Sequence, residues 1–216
     1  MTNGFAALHW HLVVPVKEPW RAKSRLAHEL GERRPELALA FARDTVQAAL
    51  AAEAVASVTV VTGDERVAKV LTGDGARVID EGAVAELNRV IISVVGSKPV
   101  RRPTAVLLGD LPALTSSALE HALALAAGYD RAFVPDAAGV GTTFLAARTG
   151  ASLRPRFGTG SAAAHARDGA QRLVGKELSS LRCDVDSLAD LIEAAELGLG
   201  RFTGALVREA GLVGLR

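Results

Sequence analysis

"TAVLLGDLPAL" (104–114) runs from an apolar stretch without polar alternation into a sharp break at an aspartate, with glycine before it and Leu-Pro behind. A strand wetted on one face alternates apolar and polar residues, whereas a strand buried on both faces reads as one apolar run. Residues 104–109 therefore read as an interior strand with Asp110 directly behind its carboxyl end. Outward from here, short β-branched runs alternate with Ala- and Leu-rich segments. Strands are expected at 8–16, 57–62, 76–79, 104–109, 131–135 and 142–147. Between the first four lie 35–53, 64–73 and 85–96; in the first, Leu39, Val46, Leu50 and their neighbours recur at the steps of an amphipathic helix. This alternation predicts an α/β fold with a mostly parallel, mixed sheet and helices on both faces. The strands after residue 130 break the rhythm, so at least one antiparallel strand is expected there. No repeat, low-complexity tract or linker intervenes, and residues 1–216 read as one domain.

Of the 216 residues, 49% are hydrophobic and 23% charged, which suits one domain with a substantial core. A net charge of +1 gives no global basic field, so neither nucleic acid nor a membrane surface is an expected partner. The single cysteine, Cys183, excludes an intramolecular disulfide framework and fits a reducing compartment. The N-terminal stretch lacks the basic start and cleavage site of a signal peptide, and no apolar run approaches the roughly 20 residues that span a bilayer. A cytoplasmic protein is expected. Its oligomeric state is not fixed by sequence, and a homo-oligomer is allowed.

In open α/β sheets, ligands bind beyond the carboxyl ends of strands, so the residues there carry the most information. Behind the first strand, "VVPVKEPWRAKSRLA" (13–27) places Lys17, Arg21, Lys23 and Arg25 within nine residues. Convergent cations suit a polyphosphate, and Arg adds a bidentate fork; a solvated basic loop fits as well. No Walker motif or GxGxxG occurs. Asp110 is placed for Mg²⁺, which takes one or two carboxylates together with substrate phosphates; a turn or cap role is the alternative. In "LRCDVDSLADL" (181–191), Asp184 and Asp186 project to one side of an extended segment. Asp186 is equally placed to cap a helix from about Ser187, and Asp64 reads as another cap. "GVGTT" (139–143) and "FGTGSAAAHA" (157–166) bring small residues, and Gly158, Thr159, Gly160 and Ser161 precede an Ala-rich helix. Such a helix start is an anion site or an ordinary serine cap. His165 receives no role, and Cys183 lacks a partner for nucleophilic chemistry.

In this order, "VKEPWRAKSRLA", "LNRVI", "GDLPAL", "GTTFL", "RPRFGTGS" and "RCDVDSLADL" resemble the 2-phospho-L-lactate/phosphoenolpyruvate guanylyltransferase family of deazaflavin coenzyme F-420 biosynthesis, over about residues 12–200. The resemblance implies a single-domain GT-A-like nucleotidyltransferase fold whose first loop carries Lys and Arg in place of glycines. It implies that Lys17, Lys23 and Arg25 clamp GTP and act in catalysis with Asp110, and that Asn88 reaches the nucleotide. It further implies that Asp110, Asp184 and Asp186 hold Mg²⁺, and that Thr143, Gly158 and Ser161 take a small phosphorylated carboxylic acid. "RPRFGTGS" is most similar to members that use phosphoenolpyruvate, ahead of 2-phospholactate and 3-phosphoglycerate. The glycines before Ser161 depart from the family pattern, as does "DEGAVAELN" (80–88), which is poor in the polar residues common there. Two rivals stand beside this reading: the same fold with another nucleotide or acceptor, and a nucleotide-binding protein without catalysis.

Overall fold

A computed structural model describes residues 9–18, 33–82 and 86–212. Seven strands form one sheet: β1 (Trp10–Pro15), β2 (Val55–Val61), β3 (Arg77–Ile79), β4 (Thr104–Leu107), β5 (Arg131–Pro135), β6 (Thr142–Ala147) and β7 (Gln171–Arg172). Their order is β3-β2-β1-β4-β6-β5-β7. The first four pair in parallel, as expected from the alternation. β6 runs antiparallel to both β4 and β5, which is the antiparallel strand foreseen after residue 130. β7, parallel to β5, was not anticipated; two residues carry no readable period.

The helices are α1 (Arg34–Leu50), α2 (Glu65–Gly73), α3 (Leu87–Val95), α4 (Ser116–Ala126), α5 (Ser161–Arg167), α6 (Ser179–Arg182), α7 (Leu188–Leu197) and α8 (Arg201–Ala210). Alternate strand residues feed two cores on opposite faces of the sheet. Leu12 and Val14 of β1, Leu107 of β4 and Phe144 of β6 join Val46 of α1, Leu71 of α2 and Leu119 of α4. Val13, Val106, Phe133 and Leu145 face the other way, onto Val90 and Ile91 of α3 and Ala162 of α5. A third cluster joins Leu37 and Phe41 of α1 to Ala113, Cys183, Val185, Leu191 of α7 and Val207 of α8. That cluster seats the turn behind β4 and the 183–186 segment on one support. Among the described residues no helix is long and apolar enough to cross a membrane.

Candidate active site

Sheet order decides what the cleft contains. β4 lies between β1 and β6, and β6 is antiparallel, so its first residue meets the carboxyl ends of the other two. A cleft of about 560 Å³ opens there. Lys17 lines it at the β1 end, Asp110 behind β4, and Thr142, Gly158, Gly160 and Ser161 on the β6 side, with Asp136, Asp184 and Asp186 also on its wall. Lys23 and Arg25, with Arg21, lie outside the described residues.

The turn that carries Asp110 is held from several directions. Leu111 N donates to Thr45 Oγ1 of α1 at 3.1 Å, and Thr45 itself donates to Phe41 O at 2.9 Å. Val185 N donates to Asp110 O at 3.1 Å, which ties the two acidic segments together through main chain. Along 183–186, Cys183 and Val185 are buried while Asp184 and Asp186 turn outward, the alternation of an extended segment. The cap of α7 is Ser187, in a capping box with Asp190, whose carboxylate also accepts from Asp186 N. Asp186 is therefore not the cap of that helix. Asp64 does cap α2, accepting from Val67 N at 2.9 Å. Among the described residues no group of three or more His, Cys, Asp and Glu side chains forms a ready-made metal site. The three aspartates nonetheless share one cleft, and Mg²⁺ takes only one or two carboxylates when phosphates supply the rest. The donor set fits an ion that arrives with a polyphosphate.

The β6 side was only partly read from sequence. Thr143 is the extra residue of a bulge, since Val134 pairs with Phe144 and Pro135 with Thr142. Its hydroxyl is fully buried, 3.5 Å from Val134 O, and the residue does not line the cleft; Thr142 does. Gly158 and Gly160 have φ of 127° and 70°, conformations that cost a side-chain residue and come freely to glycine. Ser161, 2% exposed, opens α5 there, and Gly160 rather than the serine occupies the cap position. Asn88, expected to reach the nucleotide, has its amide engaged within the protein. Its Nδ2 donates to Glu86 Oε1 and to Phe157 O, and its Oδ1 accepts from Phe157 N at 2.8 Å. Both of its amide hydrogens are engaged, and Asn88 clamps Phe157, a cleft residue.

Thr142 aside, sequence reading gave no role to three further residues. Asp136 follows β5 and accepts from Val140 N and Gly141 N at 2.8 and 2.7 Å, shaping the turn into β6. A Cβ on Gly141 would run into that carboxylate. Arg182 binds the carbonyls of Asp136 and Ala137 at 2.9 and 3.1 Å, and so holds the same turn from outside. His165 is completely buried and bonded at both ring nitrogens, to Thr142 Oγ1 and Arg156 N. Burial, with Arg131 and Arg156 nearby, lowers its pKa to about 4, so the ring is neutral at pH 7. The Cys183 thiol is pushed up to about 11 by burial and by Glu193, Asp184 and Asp190, which keeps it protonated and unreactive.

The profile of the family described as "Guanylyl transferase CofC like" matches residues 10–213. A phosphoenolpyruvate guanylyltransferase of Thermomonospora curvata is 47% identical over 208 residues, covering 95% of this chain and 91% of its own. The Streptomyces coelicolor protein of the same name is 44% identical, with 96% of this chain and all of that one aligned. The fold is that of nucleotidyltransferases. A Methanothermobacter nucleotidyl transferase superposes with a TM-score of 0.60 at 18% identity, over 88% of this chain and 97% of that one. A Leptospira borgpetersenii cytidylyltransferase gives 0.57 at 10% identity, over 97% and 98%. The chain belongs to the CofC-like guanylyl transferase family.

Proposed function

We propose that the protein is a cytoplasmic, Mg²⁺-dependent enzyme that transfers GMP from GTP to the phosphate of phosphoenolpyruvate and releases diphosphate, within deazaflavin coenzyme F-420 biosynthesis. The observation that carries this reading is the order of groups across the sheet. A cation at the β1 end, a carboxylate behind β4 and neutral donors on the β6 side lie along one cleft. That order suits a triphosphate, a metal and a small acid with two anionic groups side by side.

Lys17, with Lys23 and Arg25, holds the triphosphate. Asp110, with Asp184 and Asp186, would hold Mg²⁺, which when bound offsets the charge of the transferring and leaving phosphates. Ser161 and the glycines around it receive the acid. The Thr143 hydroxyl faces inward, so Thr143 can meet the acid only through its main chain beside Thr142. Asn88 serves indirectly, by fixing Phe157 at the cleft wall. An oxygen of the acid's phosphate attacks the α-phosphorus of GTP; as that P–O bond forms, the bond to the bridging oxygen breaks and its electron pair leaves with diphosphate. The attacking phosphate is already largely a dianion at neutral pH, its second pKa being about 6, so no general base is required. The obstacle is repulsion between anions, which fixed cations and donors lower. Diphosphate release with GTP and phosphoenolpyruvate, 2-phospholactate or 3-phosphoglycerate, with and without Mg²⁺, tests the reading. Phosphoenolpyruvate is expected to support the highest kcat/KM; absence of release with all three would overturn it.

A further inference from the structure

Both ring nitrogens of His165 are engaged, and the partner of one fixes the state of the other. Arg156 N lies 2.9 Å from Nε2, and a main-chain N–H can only donate, so Nε2 presents its lone pair. A neutral imidazole bears one proton, which must then sit on Nδ1, 3.0 Å from Thr142 Oγ1. The ring therefore donates to the hydroxyl. A hydroxyl that accepts from an imidazole keeps its own hydrogen for a second partner. Among the described residues, no other hydrogen bond occupies Thr142 Oγ1. Thr142 lines the cleft, on the far side of β4 from Lys17 and on the same wall as Ser161. Ala162 N donates to Val140 O at 3.0 Å, so the helix carrying His165 is tied to the turn that leads into Thr142.

We infer that Thr142 is a directed hydrogen-bond donor to an anionic oxygen of the acid, and that His165 is the positioning residue that aims its hydroxyl into the cleft. This rests on the proposed guanylyl transfer and extends it to Thr142, which lies inside "GTTFL" but had no role there, and to His165, which lies outside the motifs. The acid is favoured over the triphosphate as the acceptor because Asp110 and β4 separate Thr142 from the Lys17 end. The hydroxyl adds a donor without a cation, which helps to hold an acid with two anionic groups without stalling release of the product.

Kinetics with GTP saturating, and then with the acid saturating, test it. Thr142→Val, close to threonine in shape, should raise KM for the acid about ten- to a hundredfold, the value of a hydrogen bond to a charged group, and leave KM for GTP unchanged. Thr142→Ser should restore most of the loss. His165→Leu should raise KM for the acid in the same direction, and His165→Asn, with an amide N–H near the place of Nδ1–H, should recover part of it. Nitrogen NMR of the wild-type protein, which needs no variant to fold, should show the proton of His165 on Nδ1. A proton on Nε2, a normal acid KM in Thr142→Val, or a rise in KM for GTP instead would each overturn the inference while wild-type turnover leaves the reaction standing. A wild type that releases no diphosphate would overturn the reaction itself, and the inference with it.

Discussion

A Cβ at Gly109 would lie 2.9 Å from Val16 Cγ2 and 3.3 Å from Pro15 O, so only glycine lets the turn of Asp110 lie against the end of β1. One missing side chain thus sets a carboxylate and the Lys17 ammonium at the mouth of the same cleft. Asp110→Asn keeps the shape and removes the charge; it should lower kcat by about 10²–10³, the scale on which losing one electrostatic donor in an active site acts, with an unchanged melting temperature. Wild-type kcat at limiting Mg²⁺ would remove Asp110 from the metal. Lys17 is exposed at the cleft, so Lys17→Ala should cut kcat/KM for GTP and leave the fold untouched. An equal kcat/KM for GTP would make it a surface lysine. These positions were legible because their logic is local: a residue behind a buried strand, or two aspartates at alternate positions. Thr142 was not, since its partner His165 lies 23 residues away and only the tertiary fold aligns them. The choice between Thr142 and Thr143 turns on a bulge, which no sequence period announces.

At the scale of elements, the site depends on helices that take their caps from outside themselves. α8 has no side-chain cap of its own; Asp44 of α1 accepts from Phe202 N at 3.0 Å and Thr203 N at 2.8 Å, the donors that an N-cap would satisfy. A Cβ on Gly200 would strike that carboxylate, and Gly200 N donates to Pro112 O at 2.8 Å. The C-terminal helix is thereby fastened both to α1 and to the turn of Asp110. Asp44→Ala leaves two N–H groups without their acceptor and should cost roughly 1–3 kcal/mol of stability, read by denaturant unfolding, with KM for both substrates unchanged. A stability equal to the parent would show that solvent replaces the carboxylate. The same facts explain what the sequence left dark. The cap of α8 could not be read, because Asp44 lies more than 150 residues upstream, although the helix itself carries an amphipathic period within its own segment. The parallel strands and α1 to α3 were legible because strand period, helix period and caps such as Asp64 all lie within their own segments.

For the molecule as a whole, the buried His165 links stability to pH. Burial opposes its protonation most strongly, Arg131 and Arg156 oppose it further, and Asp168 favours it, so the folded-state pKa falls to about 4 from an ordinary 6.5. Above pH 6.5 the ring is neutral in the folded and unfolded chain alike, and the shift makes no difference. As pH falls below 6.5 the unfolded chain takes up a proton that the folded protein refuses, and by linkage the folded state loses stability until the folded pKa is reached. A shift of that size corresponds to about 3 kcal/mol, at 1.36 kcal/mol per pKa unit. That is a large share of the roughly 5–15 kcal/mol that holds a typical domain folded. The same proton would displace Arg156 N from Nε2 and so loosen the segment that leads to Phe157 and Gly158. Other groups of the chain also contribute to the pH dependence, so the comparison must be between variants. Unfolding free energy measured from pH 7 down to pH 4 should fall more steeply for the wild type than for His165→Asn, which has no proton to gain there. Parallel curves for the two proteins would mean that His165 takes up its proton in the fold over the same pH range as in the unfolded chain, so that the bond from Arg156 N to Nε2 does not hold the ring neutral.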